Sequence, residues 1–196
     1  MHIFDSKKIA HIRSNGFKCN YKSFRFILEL ETTANDSAVA IVIMKNPAYA
    51  CKYHLCYNNT LNANSAIESD ATVNHIIQNL YSKYKRIIIL NLYPFMSSNT
   101  NVVRKFYDCN KIQSIRNYTE RRNKSIIFRV LRTNKDAKIF CAWGQESHLN
   151  STSYAKTIYE FISKCNRRHY VLGEFDSSKK CWIPLTSFMP THGSKW

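Results

Sequence analysis

The chain has 196 residues, 44% of them hydrophobic, which is enough for one domain, read as 1–196, with a real core. Four glycines and four prolines exclude a low-complexity or disordered polymer, and no apolar run reaches the roughly 18 residues of a membrane span. Lys and Arg number 29 against 13 Asp and Glu, a net charge of +16. A field of that sign attracts polyanions, so DNA, RNA or a nucleotide is the first expected partner, and no membrane. Charge kept for solubility, or compositional drift, is the plain alternative.

Residues 1–22 are mixed and basic and read as an N-terminal extension with a turn at Ser14-Asn15-Gly16. Charges interrupt the start too often for a secretory signal. The seven cysteines are an odd, scattered set, which suits free thiols in a reducing cytoplasm. Cys51 and Cys56, with His54 between them, lack a second pair, so no metal and no cofactor is expected. Phe24 to Leu30 reads as a strand, and Ala38 to Met44 as a second strand buried on both faces, stopped by Lys45-Asn46-Pro47. Residues 51–68 read as a loop insert.

Ser69 or Asp70 can cap a helix to about Tyr84, with Val73, Ile76, Ile77 and Leu80 on its apolar face. Arg86 to Tyr93 is another continuous buried strand, broken by Pro94, and 95–117 reads as irregular. A helix is predicted over 119–133 with Thr119 as its cap and Arg121, Arg122, Arg129 and Arg132 opposite its apolar face. That face is either simply solvated or a surface for the phosphate backbone. Lys138 to Ala142 is a strand stopped at Trp143-Gly144, Ser151 or Thr152 caps a helix to about Lys164, and His169 to Leu172 is a last strand ended by Gly173. The tail, 174–196, reads as irregular. Alternating strands and helices predict an α/β domain: a central, mostly parallel sheet of about four strands with helices on both faces. Ligands of such sheets bind outside the carboxyl ends of the strands.

The phosphate-cradling and hydrolase signatures are missing, and four glycines leave little room for a glycine-rich loop. What remains at the strand ends is polar and aromatic. Asn46 can position a water or read a base edge, or be a turn residue before proline. Asn91 lies inside an apolar run, where its amide needs either backbone partners or a ligand. Asp70 is a helix cap or a general base. Tyr93, Phe95 and Trp143 are core rings or base-stacking rings.

These residues fall in an order that resembles the bacterial domain of unknown function 1643 family. Its strand ending in L-N-P-S-T-A corresponds to Met44 through Ala50, and its D-P-T helix start to Asp70-Ala71-Thr72. Leu90-Asn91-Leu92-Tyr93, Asn123, Cys141-Ala142-Trp143-Gly144 and Ile183-Pro184-Leu185 follow, with Ile183 where the family pattern has histidine. The likeness spans about 23–190. That pattern in turn resembles the uracil-DNA glycosylase superfamily. It implies a three-layer α/β/α fold in which Asn46 holds the attacking water, Asn91 reads a base and Leu185 acts as a wedge, on a base flipped from its strand. The expected function is therefore nucleic-acid or nucleotide binding at a glycosylase-like crevice, with action on a nucleobase as its catalytic form. A non-catalytic interaction domain for an acidic protein is the alternative.

Overall fold

The computed structural model describes residues 2–19, 22–48, 50, 60–62, 67–143, 153–164, 169–176 and 181–184. The first elements are the strands β1 (His2–Ile3), β2 (Ile9–Cys19), β3 (Lys22–Thr32), β4 (Val39–Met44), β5 (Thr60–Asn62) and β6 (Glu68–Ser69). Helix α1 (Ala71–Leu80), strand β7 (Arg86–Asn91) and helix α2 (Thr100–Asp108) come next. A 3-10 turn (Asn110–Ile112) leads into α3 (Gln113–Thr133), then β8 (Lys138–Ala142), α4 (Ser153–Lys164), β9 (His169–Asp176) and β10 (Cys181–Pro184).

Eight strands form one mixed sheet in the order β10-β9-β8-β4-β7-β3-β2-β5. Its middle is parallel: β4 lies between β7 and β8, and β8 pairs with β9. The flanks are antiparallel, β3 on β7, β2 on β3, β5 on β2 and β10 on β9. The expected mostly parallel sheet of about four strands is thus corrected to a larger mixed α/β sheet. The parallel strands are the apolar runs that the sequence displays openly. Of the added strands, β2 mixes buried with part-exposed positions and folds back on β3 as a hairpin.

Residues 9–19 are the clearest case. They belong to no loose extension but form a strand of eleven residues, of which alternate positions such as Ile12 and Ser14 are buried. Ser14-Asn15-Gly16 is not a turn; it lies within this strand, and the register with β3 shifts between Asn15 and Gly16. In the segment read as a loop insert, 60–62 pairs with β2 and 68–69 with β1, while Cys51, His54 and Cys56 lie outside the described residues. Strand β9 runs past Gly173 to Asp176, and 181–184 pairs back onto it.

Period-two alternation sorts the central strands onto two faces. Ala40, Val42, Met44, Ile87 and Ile89 pack with α1 through Val73, Ile76, Ile77 and Leu80. Ile41, Ile43, Ile88 and Leu90 pack on the other face with Val103 and Phe106 of α2, Ile127 and Leu131 of α3, and Ile158 and Ile162 of α4. The segment 95–117 is largely helical. Val103, Phe106 and Tyr107 turn one side of α2 inward, a pattern too short to stand out among polar neighbours. Helix α3 begins at Gln113, so Thr119 is no cap: it is fully buried in mid-helix and its hydroxyl donates to the Arg116 carbonyl at 2.9 Å. Among the described residues, no helix is long and apolar enough to cross a membrane.

Candidate functional site

The register brings three strand ends to one level. Met44 pairs with Asn91 on one side and with Ala142 on the other, so Asn46, Asn91 and Trp143 all reach the same edge of the sheet. Past that level the chains stay together: Leu92 N–H donates to Met44, Tyr93 N–H to Lys45 and Ser97 N–H to Pro47, at 2.8, 2.8 and 2.9 Å. Asn46 is part-buried. Its amide nitrogen donates to the Ser97 carbonyl at 2.7 Å and lies 3.3 Å from the Pro47 carbonyl. The side chain therefore staples the two strand exits to each other.

Asp70 is the cap of α1, one carboxylate oxygen accepting from Val73 N–H at 2.9 Å. Its other oxygen accepts from Ala50 N–H at 3.4 Å. The carbonyl of Ala50 accepts from the guanidinium of Arg25. Arg25 is fully buried, and its backbone N–H donates to Pro94 at 2.8 Å. Asp70 and Arg25 thus fix the peptide of residue 50, just beyond Asn46-Pro47, from both ends.

Asn91 is the exception among these residues. It is 0% exposed, and among the described residues neither its side-chain nitrogen nor its side-chain oxygen has a hydrogen-bond partner. Alternation along β7 aims its side chain to the α1 face, the side of Ile87 and Ile89. Burying such groups unpaired costs about 1–3 kcal/mol each. Its backbone, in contrast, is firmly held from the opposite side. The amide nitrogen of Asn123, on α3, lies 2.8 Å from the Asn91 carbonyl and 3.0 Å from that of Leu92.

Asn123 also lies 2.7 Å from the Tyr154 hydroxyl of α4, and it opens onto a buried group of tyrosines. The Tyr93 ring is 4.6 Å from Tyr107 and 5.8 Å from Tyr154 between centroids. Burial pushes the hydroxyls of Tyr107 and Tyr154 well above the ordinary tyrosine range, and the Glu120 carboxylate adds to both shifts. Glu120 itself is raised by burial, with Arg116 pulling the other way. Arg116 donates to the Tyr107 carbonyl.

The expected aromatic contacts are core residues here. Trp143 and Tyr93 are buried, and Phe95 stacks on Phe106 at 4.5 Å while bridging to Phe24. Leu185 lies outside the described residues. Arg121, Arg129 and Arg132 are exposed on α3, and Arg122 is half-buried. Sequence reasoning missed Arg25, Tyr107, Glu120 and Tyr154. Arg25 carried a signal, a charge inside the apolar run 24–30; the other three had none, being polar residues of amphipathic helices.

The chain matches the model of the family described as protein of unknown function, DUF1643, over residues 25–181, and it belongs to that family. No curated protein and no solved structure matches it.

Proposed function

We propose that the chain binds a nucleobase, free or in a nucleic acid, at the carboxyl end of its parallel strands, with Asn91 as the group that reads it. The observation that carries this reading is the fully buried side-chain amide of Asn91, with donor and acceptor both unpaired among the described residues. A carboxamide offers one donor and one acceptor side by side, the complement of the amide edge of a base. Binding that satisfies both groups recovers the cost of burying them. The net charge of +16 supports an anionic ligand.

The likeness to uracil-DNA glycosylases is part of this proposal. It is supported by four parallel strands with α1 on one face and three helices on the other, a three-layer α/β/α arrangement, and by Asn46 and Asn91 at adjacent strand exits. The roles that the likeness assigns to Asn46 and Asp70 are weaker. Both are engaged in bonds with the backbone, Asn46 through its nitrogen and Asp70 through both oxygens. Recognition is therefore favoured over base release. Titration of the four nucleosides and their monophosphates, followed by calorimetry, tests the reading. At least one base should bind, and Asn91→Leu should weaken it about tenfold or more. Binding indifferent to Asn91→Leu would remove the proposal. Release of base from a uracil-containing oligonucleotide, above that of an Asn46→Ala, Asn91→Ala double variant, would restore the catalytic form.

A further inference from the structure

We infer that the outer face of α3 is a binding surface for single-stranded nucleic acid, with Tyr118 as a base-stacking ring set among arginines. This takes the chemistry of its ligand from the nucleobase reading above, but it rests on different residues. At 100° per residue, Tyr118, Arg121, Arg122, Ser125, Arg129 and Arg132 fall within an arc of about 100° on one side of the helix. The only acidic residue of α3, Glu120, lies on another side, within range of the buried tyrosines. The arc thus carries four positive charges and no carboxylate of its own.

Tyr118 is not a core ring. It is 51% exposed, one of the large apolar side chains that the fold leaves in water. It is nonetheless held in place. Its hydroxyl accepts from Arg122 at 2.8 Å, and its ring meets Phe17 of β2 edge-on, at 6.1 Å and 79°. Arg122 in turn lies over the Phe26 ring at 5.2 Å, and Arg132 lies over Phe161 at 5.9 Å. A ring fixed in this way loses little freedom when a ligand lands on it.

Charge alone would suit any polyanion; the ring selects among them. Arginines neutralise phosphates, while an exposed ring gains energy only from a base whose face is free. A duplex keeps its bases stacked on one another and would meet the arginines alone. An acidic polypeptide would meet the arginines through its carboxylates, without the face-on stacking that a free base offers the ring. The arc also runs past the exit of β7, since Arg122, a member of it, directly precedes Asn123, which grips that exit.

The test uses the full chain and a short fluorescent oligothymidylate, read by anisotropy over a salt series, beside a duplex of equal length and polyglutamate. The single strand should bind more tightly than the duplex at each salt concentration. Tyr118→Ala should weaken it about tenfold, while Tyr118→Phe keeps most of the affinity. Changing Arg121, Arg129 and Arg132 to Gln should lower the slope of log K against log salt by about 0.7 for each arginine. Equal binding of duplex and single strand, a Tyr118→Ala variant that folds and binds like the parent, or polyglutamate competing as well as the oligonucleotide would each overturn the inference. Asn91→Leu separates the two sites: nucleoside binding reports the crevice and the Tyr118 effect reports the helix face, so either can fail with the other intact.

Discussion

The two ends of β7 treat polar groups in opposite ways. At its start, Arg86 faces Glu29 at 3.5 Å, Lys85 faces Glu31 at 3.6 Å, and His11 meets Glu31 at 3.1 Å. These groups are partly exposed and line a cavity of about 270 Å³. At its end, five residues on, Asn91 is sealed from water with both side-chain amide atoms unpaired among the described residues. Exposed ion pairs contribute about 0–1 kcal/mol, less than the roughly 1–3 kcal/mol that a single buried unpaired group costs. The conspicuous charges are therefore the cheap ones, and the uncharged amide carries the larger stake. An end of a strand that holds such a group is where a ligand has something to gain.

Four variants would break or sharpen this contrast. Trp143→Ala, at the same edge as Asn91, should cost about 3–5 kcal/mol in urea denaturation, as expected of a fully buried core ring; a small loss would mean that the ring is held for a ligand instead. Asn91→Leu should move stability the other way, raising it by about 1–3 kcal/mol, because an apolar side chain of similar size removes both unpaired atoms. Stability gained and binding lost in one substitution is the signature of a residue kept for recognition.

Glu120→Gln should have a smaller effect, confined by pH. Burial raises the folded-state pKa of Glu120 above its ordinary value of 4.5. The contribution of its protonated form is present below that value and is lost as pH rises through the raised one. The variant should match the parent in acid and exceed it in melting temperature at neutral pH; equal melting curves at both would place Glu120 in water. Least of all, Glu29→Gln at the start of β7 should change stability by less than about 1 kcal/mol. A larger loss would show that this end, too, has energy at stake.

The parts of this fold that were legible in the sequence are those that announce themselves locally. AVAIVIM and RIIILN are continuous apolar runs, and they became the paired centre of the sheet. Asn91 was legible as a lone amide in such a run, and Asp70 as a cap before an amphipathic pattern. β2 was not, because His11, Arg13 and Lys18 break its hydrophobic profile, and its strand state depends on β3 and β5 beside it. In α3 the sequence marked the apolar stripe but not which polar residues share its inner side. Thr119 and Asn123 are fully buried there, at helical spacing from Ile126 and Val130, but their polar character hides them from a reading that follows apolar residues alone. Tyr154 meets Asn123 from 31 residues away, a convergence that only the packing of two helices on one sheet face creates.

The grip of Asn123 on the carbonyls of Asn91 and Leu92 has a thermodynamic consequence. It joins a helix whose outer face is basic to the backbone of the residue proposed to read a base. If both proposed sites bind, a displacement of α3 that alters this grip would be felt at both places, and the two would be linked. Linkage is reciprocal: whatever factor a bound polyanion applies to nucleobase affinity, the nucleobase applies to the polyanion. One short side chain, seated between a helix and a strand exit, would set the size of that factor.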